Sequence, residues 1–110
     1  ALLCSGMYDL EPVRLSARSS YVAFTDESEQ VLSPMRYMEQ WTTPTIVAHG
    51  TYETPEFMRQ TVDFAEALRK RGKLVDSIIA ENCNHFEILE TLANPYGLLG
   101  LAALKMIERD

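Results

Sequence analysis

The chain has 110 residues, 46% hydrophobic and 24% charged, with a net charge of −6. That length suits one small domain burying about 60 to 70% of its unfolded surface, and the composition is that of a globular chain rather than a disordered one. The acidic balance, with basic residues scattered along the chain, argues against nucleic acid or an anionic membrane as partner, because both select clustered Lys and Arg.

No stretch approaches the roughly 18 apolar residues of a membrane span. The two cysteines, Cys4 and Cys83, are too few for a disulfide framework or a zinc site. They point to a reduced, cytoplasmic setting, with no metal and no organic cofactor expected. The chain opens with Ala1-Leu2-Leu3-Cys4, already strand-like, without an initiator Met or a signal sequence, so it is expected to be a piece of something longer.

In chain order, Ala1 to Ser5 is a first strand closed by Gly6. Residues 7–43 form an irregular, lid-like excursion with Pro12, Pro34 and two polar-led starts of short helices, Thr25-Asp26 and Ser33-Pro34. Pro44 to His49 is a fully buried strand, since Ile46, Val47 and Ala48 do not alternate with polar residues. The strongest helix follows. Thr54 caps it, Pro55 takes its first position, Phe57, Thr61, Phe64 and Leu68 line one stripe, and Gly72 ends it. Glu66 and Lys70 make a favourable i,i+4 pair, and the basic run Arg69-Lys70-Arg71 suits the negative end of the helix dipole.

Leu74 to Ala80 is the third strand. A polar loop, Glu81-Asn82-Cys83-Asn84-His85, leads to a short helix from Phe86 to Ala93. A terminal helix starts at Asn94-Pro95 and runs to about Arg109, weakened by Gly97 and Gly100 but with Leu99, Ala102, Ala103 and Met106 on a core stripe. Alternation of strand and helix predicts an α/β layer of about three parallel strands with flanking helices.

Right-handed crossovers bring the loops after successive parallel strands to one edge of the sheet, where open α/β folds bind ligands. Glu53 and His85 share that edge on strands about 4.8 Å apart. A carboxylate there can hold one imidazole nitrogen while the other takes a nucleophile's proton, and acid before histidine is the order of the second half of an α/β-hydrolase triad. On pattern alone, two residues of solvated loops remain the plainer reading. Glu56 is the rival acid but is explained as a first-turn carboxylate, and His49 as a packed or hydrogen-bonded strand end.

Three stretches then carry a resemblance: Ser5-Gly6-Met7-Tyr8-Asp9-Leu10-Glu11-Pro12, Glu53-Thr54-Pro55-Glu56-Phe57-Met58-Arg59-Gln60 and His85-Phe86-Glu87-Ile88-Leu89-Glu90. In these the chain resembles the arylformamidase (kynurenine formamidase) family of α/β hydrolases and its bacterial esterase-like relatives. The resemblance implies the C-terminal portion of an α/β-hydrolase fold, with Glu53 as triad acid and His85 as triad base. It departs at Glu53, where the mammalian enzymes carry Asp. It also implies that Tyr8, Asp9 and Glu11 help hold the active-site floor, although Asp9 and Glu11 are also explained as caps of the next turn, the preferred reading for Glu11. Tyr8 and Phe86 are weak substrate-binding candidates, Phe86 being better explained as an anchor of the histidine loop.

The resemblance implies that the nucleophile lies upstream of Ala1. None of Ser5, Ser16, Ser19, Ser20, Ser28, Ser33 and Ser77 has glycine at both i−2 and i+2. Ser5 completes a Ser, Glu, His order, but Leu3 and Pro12 supply neither the small residue nor the immediate helix of a nucleophile elbow. Cys83, two residues from His85 on one loop, is read as a packing residue. The expected function is therefore the acid- and histidine-bearing part of a serine hydrolase, implied by the resemblance to act on N-formylkynurenine. The expected partners are a small amide or ester and the upstream part carrying the serine, with homo-oligomerisation left open. By itself the 110-residue chain is expected to be inactive. A carboxylesterase or carbamate hydrolase of the same fold, and a non-catalytic fragment or interaction module, are the alternatives.

Overall fold

A computed structural model describes residues 1–15 and 25–109. One parallel sheet is formed by β1 (Leu2–Cys4), β2 (Thr45–Gly50) and β3 (Leu74–Ala80), in the order β1-β2-β3. Between β1 and β2 lie α1 (Glu11–Arg14), α2 (Asp26–Leu32) and a 3₁₀ segment, Pro34–Gln40. Helix α3 (Pro55–Lys70) joins β2 to β3. Beyond β3 come α4 (Glu87–Glu90), a 3₁₀ turn, Thr91–Ala93, and α5 (Leu98–Arg109). This is an α/β arrangement compatible with the C-terminal part of an α/β hydrolase. Residues 16–24 of the predicted excursion, with Ser16, Ser19 and Ser20, lie outside the described residues.

Every residue of β2 is buried, because it is the central strand and both sheet faces are covered at its position. Its register sets Val47 beside Leu3 and Ser77, and Ala48 beside Cys4 and Ile78. On one face Val47 meets Phe64, Ala65 and Leu68 of α3, together with Tyr8. Phe64 is the centre of this cluster: its ring stacks on Tyr8 with centroids 3.9 Å apart and takes Trp41 edge-on at 5.4 Å. On the other face Ala48 and Ala80 pack with Ile88 of α4 and Leu99 of α5.

Thr54 occupies the cap position of α3 in extended conformation, but its side chain makes no capping bond. The C-terminus is closed as expected. Gly72 adopts φ 69, its N–H donates to the Arg69 carbonyl, and the Lys73 N–H reaches back to Leu68 at 2.9 Å, the pairing of a Schellman motif. Glu66 pairs with Arg69 rather than Lys70, at 2.5 Å and on the exposed surface, where such pairs contribute little.

The terminal helix starts at Leu98, not Asn94. Asn94 is extended, as a residue before proline is biased to be, and its side chain accepts from the Tyr96 N–H. Gly97 and Gly100 have a packing role that composition did not suggest. A Cβ at Gly97 would run into the Thr91 carbonyl oxygen, and one at Gly100 into that of Asn94. No helix among the described residues is long and apolar enough to cross a membrane.

Candidate active site

Gly50 ends β2 at a crowded point. A Cβ there would collide with the carbonyl oxygen of Cys83 in the loop after β3. The closeness is used by three hydrogen bonds between the loops: Thr51 N–H to the Ala80 carbonyl at 3.1 Å, Tyr52 N–H to the Cys83 carbonyl at 2.9 Å, and Asn82 N–H to the Thr51 hydroxyl at 2.8 Å. The two loops thus form one unit, and the turn 50–53 brings Glu53 back over the strand end.

The Glu53 side chain is fully buried. Its Oε2 accepts from the Gly50 N–H at 2.6 Å and from the Ser5 hydroxyl at 2.7 Å, while its Oε1 lies 2.6 Å from His85 Nδ1. Burial alone would raise the pKa of Glu53. The hydrogen bonds from Gly50, Ser5 and His85 outweigh it and hold the carboxyl below its ordinary value. An ionised carboxylate is acceptor-only, so Nδ1 is the donor in this contact, and in a neutral ring Nε2 is then the acceptor.

His85 is half-buried, its side chain 40% exposed. One face rests on Phe57, with ring centroids 4.7 Å apart, and Phe86 stands edge-on at 5.6 Å. The next turn is held by a reciprocal arrangement resembling a capping box. The Asn84 side chain accepts from the Phe86 and Glu87 N–H groups, and Glu87 accepts from the Asn84 N–H. Among the described residues no hydroxyl or thiol is hydrogen-bonded to the imidazole.

Other predicted residues fall elsewhere. Glu56, the rival acid, is engaged by Arg59 at 2.5 and 3.0 Å and by Gln60 at 3.0 Å. His49 is buried, and its Nδ1 meets no hydrogen-bond partner among the described residues. Tyr8 is buried, 4% exposed and stacked on Phe64, and burial pushes its phenol up to about 12. Phe86 is 74% exposed, and the turn after His85 is held by Asn84 and Glu87. Asp9 caps the start of α1 through the Glu11 N–H at 3.1 Å, and Cys83 packs beside Ala48 and Ala80.

Two residues escaped the sequence reading. Ser5 is a donor to the acid, although its place at the same sheet edge as Glu53 was a usable signal. Phe57, expected on the buried stripe of α3, is only half-buried and supports His85 from the first turn of that helix. The carboxylates of Asp9, Glu11 and Glu29 lie within 4.8 Å of one another, but Arg36 supplies a counter-charge 2.5 Å from Glu29. A groove of about 350 Å³ between β3 and α5, bordered by Ile46, Val75, Ile78 and Met106 and by the charged Asp76 and Lys105, includes no residue of the Glu53 or His85 loops.

No protein-family model matches the chain, and no solved structure does. Curated proteins are similar to it along its whole length. It is 31% identical over 115 residues to a protein named kynurenine formamidase from Danio rerio, covering 39% of that protein. It is 30% identical over 116 residues to one of the same name from Salmo salar, covering 40%. The chain therefore spans about 40% of the length of these curated relatives, and its resemblance to kynurenine formamidases extends over all of its own residues.

Proposed function

We propose that Glu53 and His85 are the acid and base of a serine hydrolase of the α/β-hydrolase type that cleaves an arylformamide, with N-formylkynurenine hydrolysed to kynurenine and formate. The observation that carries this reading is the buried carboxylate 2.6 Å from Nδ1 of a half-exposed imidazole, at the carboxyl edge of a parallel sheet, in a chain similar to proteins named for that reaction. The serine is supplied by polypeptide outside these 110 residues, and the setting is cytoplasmic, in keeping with two free cysteines.

In this reading His85 Nε2 takes the proton from the serine hydroxyl as its oxygen attacks the formyl carbon. Glu53 holds the ring and stabilises the imidazolium. The same proton passes to the departing aryl amine, leaving a formyl ester on the serine. Water, deprotonated by His85, then attacks that ester; the ester C–O bond breaks, the proton passes from His85 to the serine oxygen, and formate is released. A carboxylesterase would use the same groups, so the substrate class is decided by parallel turnover of arylformamides and short p-nitrophenyl esters.

The test is that turnover, measured for the complete polypeptide carrying these residues and for the 110-residue chain alone. The complete protein should hydrolyse arylformamides and lose that activity with His85→Ala, and the isolated chain should stay at solution background. Full activity in the His85 variant would make this segment a non-catalytic module.

A further inference from the structure

Ser5, the residue after β1, has an unusual conformation. Its φ of 52 lies in the left-handed region, which L-residues avoid and glycine enters freely, yet glycine stands at the next position. The backbone is held there by the Ser5 N–H, which donates to the Ala48 carbonyl at 2.9 Å. The residue is 5% exposed, and its hydroxyl is committed to Glu53 Oε2 at 2.7 Å. A strained backbone that delivers a buried donor to a functional carboxylate is a reason to look for a role.

The carboxylate plane of a glutamate is weakly set by its own torsion, which is broad and roughly two-fold. Here two donors from different strands converge on one oxygen, the Gly50 N–H at 2.6 Å and the Ser5 hydroxyl at 2.7 Å. Two directions fix the plane where one would let it swing. The other oxygen, Oε1, is thereby reserved for His85. We propose that Ser5 is a positioning residue that orients the Glu53 carboxylate toward His85, acting through the acid and never on the substrate. This rests on the acyl-transfer reading of the pair given above. It also separates Ser5 from a nucleophile, whose hydroxyl would bond the imidazole rather than the acid.

The test is Ser5→Gly in the complete hydrolase. Glycine removes the hydroxyl and relieves the positive φ, so a purely conformational role leaves turnover intact and stability equal or higher. Positioning instead requires kcat to fall about 10-fold, the size expected for a lost hydrogen bond to a charged group, with KM within about twofold of wild type. It also requires the downfield Nδ1 proton resonance of His85 to shift. Ser5→Ala, which keeps an L-residue before Gly6, must show the same kcat loss. In a Glu53→Ala background, Ser5→Gly must add nothing. Unchanged kcat and an unmoved resonance, or losses that multiply in the double variant, overturn the proposal. If His85→Ala and Glu53→Gln retain turnover, the acyl-transfer reading falls instead; if they abolish it while Ser5→Gly does not, only the role of Ser5 falls.

Discussion

His85 Nδ1 and Glu53 Oε1 lie 2.6 Å apart across loops that leave adjacent parallel strands and are themselves tied by three hydrogen bonds. Residues held as one unit should fail as one unit. In the complete protein His85→Ala is expected to reduce kcat by several orders of magnitude, and Glu53→Ala/His85→Ala to be little worse than His85→Ala alone. Steady-state kinetics of both variants decide it: if the two losses multiply, the residues act independently and the assignment of an acid–base pair is wrong.

The length of the acid side chain matters because three donors meet its carboxylate. Glu53→Asp keeps the charge but withdraws the oxygens by one methylene, so it should retain reduced activity. Glu53→Gln keeps the length but loses the charge that stabilises the imidazolium, and it should lose far more. Comparing kcat/KM for both variants checks the order. Wild-type activity in the Gln variant would move the acid elsewhere.

Glu53 also ties stability to pH. Burial raises its pKa, but the hydrogen bonds from Gly50, Ser5 and His85 leave it lowered in the folded protein, below the unfolded value of about 4.3. The associated stabilisation is fully present above that value and is lost as pH falls through the lower folded pKa. The difference in Tm between wild type and Glu53→Gln should therefore change as pH falls below about 4. A difference that does not change down to about pH 2 would show that the folded carboxyl is not held below its ordinary value.

Strands and the long helix were legible because their signals are local: an apolar run for β2, a stripe and a glycine stop for α3. Glu53 and His85 were legible as neighbours because parallel crossovers dictate which loops share an edge. What was missed depends on contacts distant in sequence. Ser5 reaches Glu53 across 48 positions, and only its place at the shared sheet edge points to that partner. Gly100 is a nearer case: a glycine there reads as a weak point of the helix, whereas its lack of a side chain admits the carbonyl of Asn94, six residues earlier. Tyr8 looked like an edge residue because it follows β1, but the chain turns it inward onto Phe64.

Two glycines give a paired test of how the site is built. Gly72 has φ 69, with open space beside it, so Gly72→Ala meets only backbone strain, about 1 kcal/mol. Gly50 has no such φ, but a Cβ there strikes the backbone of the Cys83 loop, and its N–H is a donor to Glu53. Gly50→Ala can be accommodated only by parting the two loops, which stretches the Glu53–His85 contact and strains the packing by about 1 to 3 kcal/mol. Thermal denaturation and turnover of the complete protein should then dissociate. Gly72→Ala is expected to lower Tm by a few degrees with kcat unchanged, and Gly50→Ala to lower both, with kcat falling at least 100-fold, as an ångström-scale misplacement of catalytic groups can produce. If Gly50→Ala kept full turnover, the close approach of the β2 and β3 loops would not be what aligns the acid with the histidine.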